Sequence, residues 1–242
     1  MPPKLPFRIA LTFDAEHPDR PSTPGGQEQL LDLLDRLEVR GTFFIQGRWA
    51  QAWPATAARI AQAGHLVGNH SHYHVRMDRL DVPGLAHDIH ASESVIQRIT
   101  GVDPRPWFRC PFGIGATSRR VTRALKQAGY RHVGWTVDPQ DWEPDRAAEN
   151  LAASILASAF RFGRPEDEIV LLHTWPDRTV AGLPETVARL RDGGAELVRV
   201  DELATVTPIP GAGPTTVPLA PPPLDARARL PRVLTFDPEI AT

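Results

Sequence analysis

The most informative segment of the chain is Gly68-Asn69-His70-Ser71-His72-Tyr73-His74. It follows the short apolar run Leu66-Val67, which indicates a strand that ends where the histidines begin. His70 and His74 are four residues apart, and on a helical turn this spacing places two imidazoles on one face. Two neutral imidazoles on one face are a typical part of a divalent metal site. Because Ser71 rather than Glu follows His70, a catalytic base has to come from another segment.

On both sides of this segment, short apolar runs alternate with stretches of helical periodicity. The candidate strands are residues 7–13, 41–46, 66–69, 106–110, 130–137, 169–173 and 196–200, and the candidate helices are residues 27–37, 49–63, 82–100, 118–128, 144–160 and 183–191. Continuous apolar strands that alternate with helices are typical of a parallel sheet whose two faces are covered. The sequence therefore predicts an α/β fold with about seven parallel strands.

Polar side chains stand at or just beyond the ends of several candidate strands. They are Asp14, His70, Arg109, Asp138 and His173. In parallel α/β folds, binding and catalytic groups collect at the carboxyl ends of the strands. Unrelated surface residues are not expected to share this placement, so we predict a single site at this edge of the sheet.

Length and composition limit the class of protein. The 242 residues suffice for one large domain, and with only one cysteine, Cys110, no intrachain disulfide can form. The formal net charge of -2 gives no reason to expect nucleic acid or an anionic membrane as a partner. No apolar run has the length of a transmembrane helix, and the N-terminus lacks the apolar core of a signal peptide, which predicts a cytoplasmic protein. A signal peptide removed from a longer chain would leave the same pattern.

Residues 207–242 differ in composition from the rest of the chain. Nine of these 36 residues are proline, and no strand or helix periodicity runs through them. Such a composition is typical of an extended tail rather than a second core. We therefore predict one catalytic domain in residues 1–206, followed by a Pro-rich tail in residues 207–242.

Five short motifs, in this order, resemble those of the polysaccharide deacetylase family, also known as the NodB-homology or family 4 carbohydrate esterases. The matching segments are Thr12-Phe13-Asp14, His70-Ser71-His72-Tyr73-His74, Arg109-Cys110-Pro111-Phe112-Gly113, Asp138-Pro139-Gln140-Asp141-Trp142 and Leu171-Leu172-His173. The resemblance extends over residues 7–205 and implies a distorted (β/α) barrel. It also implies a metal-dependent hydrolase that removes acetyl from an N-acetylated sugar, with metal-bound water as the nucleophile.

The same resemblance implies catalytic roles for four residues. Asp14 would be the general base, and Arg109 would pair with it and hold it in place. His173 would be the general acid that protonates the leaving amine, with Asp138 orienting its ring. A positioned base and a positioned acid each typically contribute about 10²–10⁴-fold to the rate.

The resemblance further implies ligands for the metal and contacts for the substrate. His70 and His74 would hold one divalent ion. The substrate contacts would be the backbone N–H of Phe112 for the oxyanion, and Trp142 and Leu171 for the acetyl methyl group. Trp175, just after His173, is the aromatic side chain that we expect to line the cleft.

The first motif departs from the family pattern at Ala15, where the family usually has an Asp that binds the metal. Glu16 offers one replacement, which leaves Asp14 as the base. Alternatively, Asp14 itself binds the metal and the base is unassigned. We favour Glu16 as the ligand. Zinc is the leading candidate for the ion, although cobalt, nickel and iron suit two imidazoles and a carboxylate about equally.

Two alternatives to a sugar deacetylase remain open at this point. One is a hydrolase of a small non-sugar amide, which a cytoplasmic location favours. The other is a non-catalytic carbohydrate-binding relative, which Ala15 favours because an oxygen ligand is missing there. The expected partner is therefore an acetylated saccharide or a small amide.

Overall fold

The structure is a computed structural model that describes residues 7–20, 23–145, 148, 150–160 and 167–203. The predicted tail of residues 207–242 lies outside these ranges, so the domain boundary stays a prediction. Within the described ranges, every helix is too short or too polar to cross a lipid bilayer.

The described strands form one seven-stranded parallel sheet. The strands are β1 (Phe7–Ala15), β2 (Thr42–Ile45), β3 (Leu66–Asn69), β4 (Trp107–Phe108), β5 (Arg131–His132), β6 (Glu168–His173) and β7 (Ala195–Val198). Their order is β5-β4-β3-β2-β1-β6, and β7 also pairs with β1. Beyond β5 the chain reaches the opposite edge of the sheet, where Val137 forms an isolated parallel bridge with Val170 of β6. This bridge links the two edges, and the predicted distorted (β/α) barrel is confirmed.

The helices cover the sheet between successive strands. They are α1 (Gly26–Arg36), α2 (Gly47–Ala52), α3 (Pro54–Gln62), α4 (Val82–Thr100), α5 (Arg119–Gln127), α6 (Asn150–Ala159) and α7 (Asp177–Gly193). The prediction of one helix over residues 49–63 is wrong, because Trp53 leaves helical geometry at φ -124 and ψ 57. Pro54 lacks an N–H and disfavours helical backbone at the residue before it, so it starts a new helix instead.

Three other predicted elements differ from the structure by more than two residues at a boundary. The strand predicted over residues 130–137 is limited to β5, and the helix predicted from residue 144 begins at Asn150. Helix α7 begins at Asp177 rather than Leu183 and contains Pro184. Proline disfavours helix interiors, which is why the sequence pattern placed the start of this helix too late.

The register of the sheet aligns the carboxyl ends of neighbouring strands. Asp14 of β1 pairs with His173 of β6, and Asn69 of β3 pairs with Phe108 of β4. His70 and Arg109, which directly follow the second pair, therefore leave the sheet at the same edge as Asp14 and His173. This edge is the one at which the sequence predicted a site.

Candidate active site

An ion pair between Asp14 and Arg109 lies at the centre of this edge. Arg109 is fully buried, and its Nη1 donates to Asp14 Oδ1 at 2.8 Å. Its Nε donates to the carbonyl of Val133 at 3.2 Å, and its Nη2 donates to the carbonyl of Gly134 at 3.1 Å. The guanidinium also lies 4.1 Å from the ring centroid of Phe44. The structure thus contains the predicted pair, and the contacts of Arg109 fix the Asp14 carboxylate in one orientation.

Glu16 lies beside this ion pair and is surrounded by imidazoles. Its Oε2 is 2.5 Å from His74 Nε2 and 3.0 Å from His70 Nε2. Its Oε1 is 3.1 Å from His17 Nε2 and 3.8 Å from His173 Nε2. Burial raises the pKa of Glu16, but hydrogen bonds with His17, His70 and His74 outweigh burial and hold this pKa well below its usual value. Glu16 is therefore a carboxylate that several imidazoles share.

The hydrogen bonds of His70 show why this cluster fits a cation. Its Nδ1 lies 2.8 Å from the carbonyl oxygen of Arg109. Because a carbonyl only accepts, Nδ1 carries a proton, and a neutral ring then directs the lone pair of Nε2 at Glu16 Oε2. Asp14 Oδ2 is also only 3.5 Å from this nitrogen. Lone pairs that face one another in a buried site require a proton or a metal ion between them.

The possible metal ligands form two overlapping groups. One group is Asp14, Glu16 and His70, and the other is Glu16, His17 and His74; within each group the ligand atoms all lie within 4.8 Å of one another. Imidazole and carboxylate donors suit a divalent transition metal. Glu16 belongs to both groups, so it can supply the oxygen that Ala15 lacks. His17 is a member to which the sequence analysis gave no role, although it directly follows Glu16.

The segment that carries His70 and His74 is not helical, so the prediction of a helical turn is wrong. Ser71 and His74 have left-handed backbone, with φ of 66° and 55° respectively. The two imidazole rings still lie 4.9 Å apart between centroids. The spacing therefore indicated the right pair of residues, but a tight loop rather than a helix brings them together.

Helix α4 holds this loop in its conformation. Asp88 is buried, and its carboxylate accepts the backbone N–H groups of His72 and Tyr73, each at 3.1 Å. Ser92 Oγ donates to the carbonyl of Ser71 at 3.0 Å. These bonds satisfy loop N–H and C=O groups that would otherwise be buried without partners.

On the other side of Glu16, His173 pairs with Asp141. His173 Nδ1 donates to Asp141 Oδ1 at 2.8 Å. The second oxygen of Asp141 accepts the His173 backbone N–H at 2.7 Å and the Thr179 hydroxyl at 2.7 Å. Burial lowers the pKa of His173, but Asp141, Glu16 and Asp14 outweigh burial and raise it to about 9. The ring is therefore protonated at neutral pH, and Asp141 fixes its orientation.

The prediction that Asp138 orients the ring of His173 is wrong. Asp138 accepts the backbone N–H of Gln140 at 2.8 Å, and its side chain lines the cleft. Gln140 has a left-handed φ of 57°, so the chain turns sharply between the two acids of the motif. This turn carries Asp141, rather than Asp138, to His173.

A cleft of about 420 Å³ opens in front of these groups. Its walls are formed by Asp14, Glu16, His17, Arg20, His74, Phe112, Trp135, Asp138, Trp142, Leu171, His173 and Trp175. The four predicted substrate contacts, Phe112, Trp142, Leu171 and Trp175, therefore all lie in the cleft wall. The sequence analysis missed Arg20, whose guanidinium lies 4.0 Å from the ring centroid of Trp175. The part that the Phe112 N–H plays in oxyanion binding stays a prediction.

Comparison with known proteins places the fold and the site in a family. The family model described as polysaccharide deacetylase matches residues 3–133. The chain is 33% identical over 196 residues to the peptidoglycan-N-acetylglucosamine deacetylase PgdA of Listeria monocytogenes. That alignment covers 81% of this chain but only 38% of the relative, so the chain spans well under half of the relative's length.

Two solved structures support the same assignment. The family 4 carbohydrate esterase from Streptomyces lividans, in complex with acetate, matches with a TM-score of 0.67 and 28% identity, over 78% of this chain and 90% of that chain. A family 4 pseudoenzyme from Bacillus anthracis matches with a TM-score of 0.71 and 25% identity, over 84% of this chain and 66% of that chain. This chain belongs to the polysaccharide deacetylase family.

Proposed function

We propose that this protein is a metal-dependent hydrolase that removes acetyl from an N-acetylated sugar or oligosaccharide. The observation that carries the proposal is the placement of a fixed carboxylate, Asp14, and an imidazole held by Asp141, His173, on the two sides of the Glu16 cluster. Amide hydrolysis requires one group to accept a proton from water and another to donate a proton to the leaving nitrogen. The cleft holds both groups within one small volume.

Glu16, His70 and His74 are the residues that would hold the metal, with zinc as the first candidate. A divalent cation at such a site lowers the pKa of a bound water from about 15.7 to about 7 and polarises a carbonyl oxygen. The Nε2 atoms of His70 and His74 both meet Glu16 Oε2, and a cation can take the place of the protons that these contacts otherwise require, which is the structural reason to place it there.

The proton transfers follow from the hydrogen bonds of the two catalytic side chains. Arg109 occupies Asp14 Oδ1, so Oδ2 is the oxygen that accepts the proton from water. Water oxygen then bonds to the acetyl carbon, and the bond from that carbon to nitrogen breaks. The leaving nitrogen takes its proton from His173 Nε2, since Asp141 holds the proton at Nδ1. Acetate and a free amine are the products.

The cleft wall accounts for selection of a small acyl group. Leu171 and Trp142 supply apolar surface for a methyl group beside His173. Each additional methylene on the acyl chain would change transition-state binding by only about 1–3 kcal/mol. We therefore expect acetyl to be preferred over longer acyl groups by a modest factor.

A second candidate, a non-catalytic carbohydrate-binding protein, is favoured by two observations. Ala15 stands where the family usually has its oxygen ligand. In addition, a family 4 pseudoenzyme is among the similar solved structures. This candidate predicts saccharide binding without acetate release and without a stoichiometric metal ion.

The test is release of acetate from N-acetylglucosamine oligomers by zinc-loaded protein, before and after treatment with a chelator. Asp14→Asn is expected to lower kcat by about 10²–10⁴-fold, because it removes the base. Asp19→Asn is the matched control, since Asp19 is exposed and pairs only with Arg48 among the described residues. Saccharide binding without any acetate release, with or without added metal, would favour the second candidate.

A further inference from the structure

The turn that follows β1 holds His17 in an unusual conformation. His17 has φ of 55°, a left-handed backbone that residues with a Cβ seldom adopt. Its backbone N–H donates to Oε1 of Gln46 at 2.9 Å, and Gln46 is itself buried. The N–H of Gln46 donates in turn to the carbonyl of Ala15 at 2.9 Å. Because strained backbone persists only where its surroundings hold it, this turn fixes the direction in which the Cα–Cβ bond of His17 leaves the chain.

The half-buried side chain of His17 contacts the Glu16 cluster from the cleft wall. Its Nε2 lies 3.1 Å from Glu16 Oε1, the oxygen that His70 and His74 do not contact closely. Its ring meets the ring of His74 edge to face, with the centroids 4.5 Å apart. His17 is therefore the third imidazole, with His70 and His74, that contacts the Glu16 carboxylate.

The spacing of these donor atoms suits a shared metal ion. The ligand atoms of Glu16, His17 and His74 all lie within 4.8 Å of one another. Donors bound to one zinc ion at about 2.0–2.2 Å can be at most about 4.4 Å apart. Shifts of a few tenths of an ångström in the side chains are therefore enough to bring these three donors onto one ion. His70 belongs to the other group and shares only Glu16 with this one, so its ring has to move further to reach the same ion.

We propose that His17 is a further ligand of the metal, so that His17, His70, His74 and Glu16 together bind one cation, which would take its water in a fifth position. The inference rests on the metal site of the proposed function. Glu16 replaces the oxygen donor lost at Ala15, and His17 adds a third imidazole to the site. A donor set of three imidazoles and one carboxylate favours zinc, cobalt, nickel or iron over magnesium, calcium or manganese. It leaves Asp14 free of the metal and available as the base.

The decisive measurement is X-ray absorption at the zinc edge on the wild-type protein loaded with one equivalent of zinc. Three coordinated imidazoles are expected in the wild type and two in His17→Gln. His87→Gln is the matched control, because His87 is exposed on α4, and it should retain all three. A wild-type spectrum with only two imidazoles overturns the proposal, whether or not the variant folds.

Zinc affinity, measured by competition with a chelating indicator, gives a second readout. We expect His17→Gln to weaken zinc binding by at least about 10-fold, while His87→Gln leaves it unchanged. Unchanged affinity in His17→Gln overturns the proposal, and thermal unfolding of the metal-free proteins checks that both variants fold.

Neither measurement uses a substrate, so this inference and the proposed function can fail separately. Acetate release by a protein with only two coordinated imidazoles would remove His17 from the ligands and leave the function standing. Three coordinated imidazoles without acetate release would keep His17 among the ligands and contradict the proposed function.

Discussion

A buried histidine flanks each end of strand β3, and the Nδ1 atoms of the two rings have opposite hydrogen-bonding roles. His65 precedes the strand and is 5% exposed, whereas His70 follows it and is 1% exposed. His65 Nδ1 accepts the backbone N–H of Gly41 at 3.1 Å. His70 Nδ1 instead donates to the carbonyl of Arg109 at 2.8 Å. The two rings therefore carry their protons on different nitrogens when they are neutral.

The charges around the two rings differ as well. Burial lowers the pKa of His65 from its ordinary 6.5 to about 4, and the Arg40 charge adds to this effect. Burial opposes the charged form of His70 too, but Asp14 and Glu16 outweigh burial and raise its pKa. The comparison shows that burial alone does not identify a functional histidine. Carboxylates gathered at the carboxyl edge of the sheet distinguish His70 from His65.

The largest expected effect comes from removing one histidine at a time. His70→Gln should weaken zinc binding by about 10²–10³-fold, because structural zinc sites gain roughly 10–16 kcal/mol from about four ligands. His65→Gln should leave zinc binding unchanged, since His65 lies at the opposite end of β3. Competition with a chelating indicator at fixed pH measures both affinities.

This pair of variants also tests the comparison itself. Equal losses of zinc affinity in both variants would mean that disturbing β3, rather than removing a ligand, weakens the site. Acetate release should follow zinc occupancy, so His65→Gln with full zinc should remain active.

A smaller effect is expected from the carboxylates near His173. Asp141→Asn should lower kcat by about 10²-fold, the lower end of what a general acid contributes, because the ring loses the charge that holds its proton. Asp138→Asn should change kcat by less than about tenfold, because Asp138 makes no contact with the ring in the described structure.

Steady-state kinetics on both variants with zinc saturating gives the answer. If Asp138→Asn lowered kcat more than Asp141→Asn, Asp138 rather than Asp141 would orient His173 in the working enzyme. Zinc affinity should be the same in both variants, since neither carboxylate belongs to the metal group.

Much of this architecture could be predicted from sequence because its central strands are continuous and apolar. Strands β1, β3 and β6 lie between covering helices, so most of their side chains are apolar until the strand reaches the site edge. The predicted end of β3 at Asn69 and of β6 at His173 therefore agrees with the structure. Short edge strands such as β5 lack this pattern, and the prediction there was too long.

The details of the site depended on turns, which residue spacing does not reveal. Asp138 and Asp141 belong to one motif, and only the left-handed backbone at Gln140 decides which of them reaches His173. Left-handed backbone at His17 likewise directs an imidazole that the sequence analysis treated as unassigned. Such conformations in residues other than glycine are set by tertiary contacts, so a local pattern does not predict them.

The most gradual expected effect concerns His65 and the dependence of stability on pH. An unfolded histidine binds a proton below about pH 6.5, whereas His65 in the folded protein does so only near pH 4. Between these values the unfolded state binds more protons, so the free energy of unfolding falls as the pH falls. The contribution of His65 is complete above about pH 6.5, declines by at most about 1.4 kcal/mol per pH unit, and totals about 3 kcal/mol.

Urea unfolding of the metal-free protein at several pH values between 4 and 7.5 tests this dependence. We expect His65→Gln to flatten the curve by the contribution of one group, since Gln does not titrate and its amide oxygen can still accept the Gly41 N–H. His87→Gln, on the exposed face of α4, should leave the curve as it is in the wild type. If His65→Gln also left the curve unchanged, His65 would take up its proton as readily in the folded chain as in the unfolded one. The contrast between the lowered pKa of His65 and the raised pKa of His70 would then not hold.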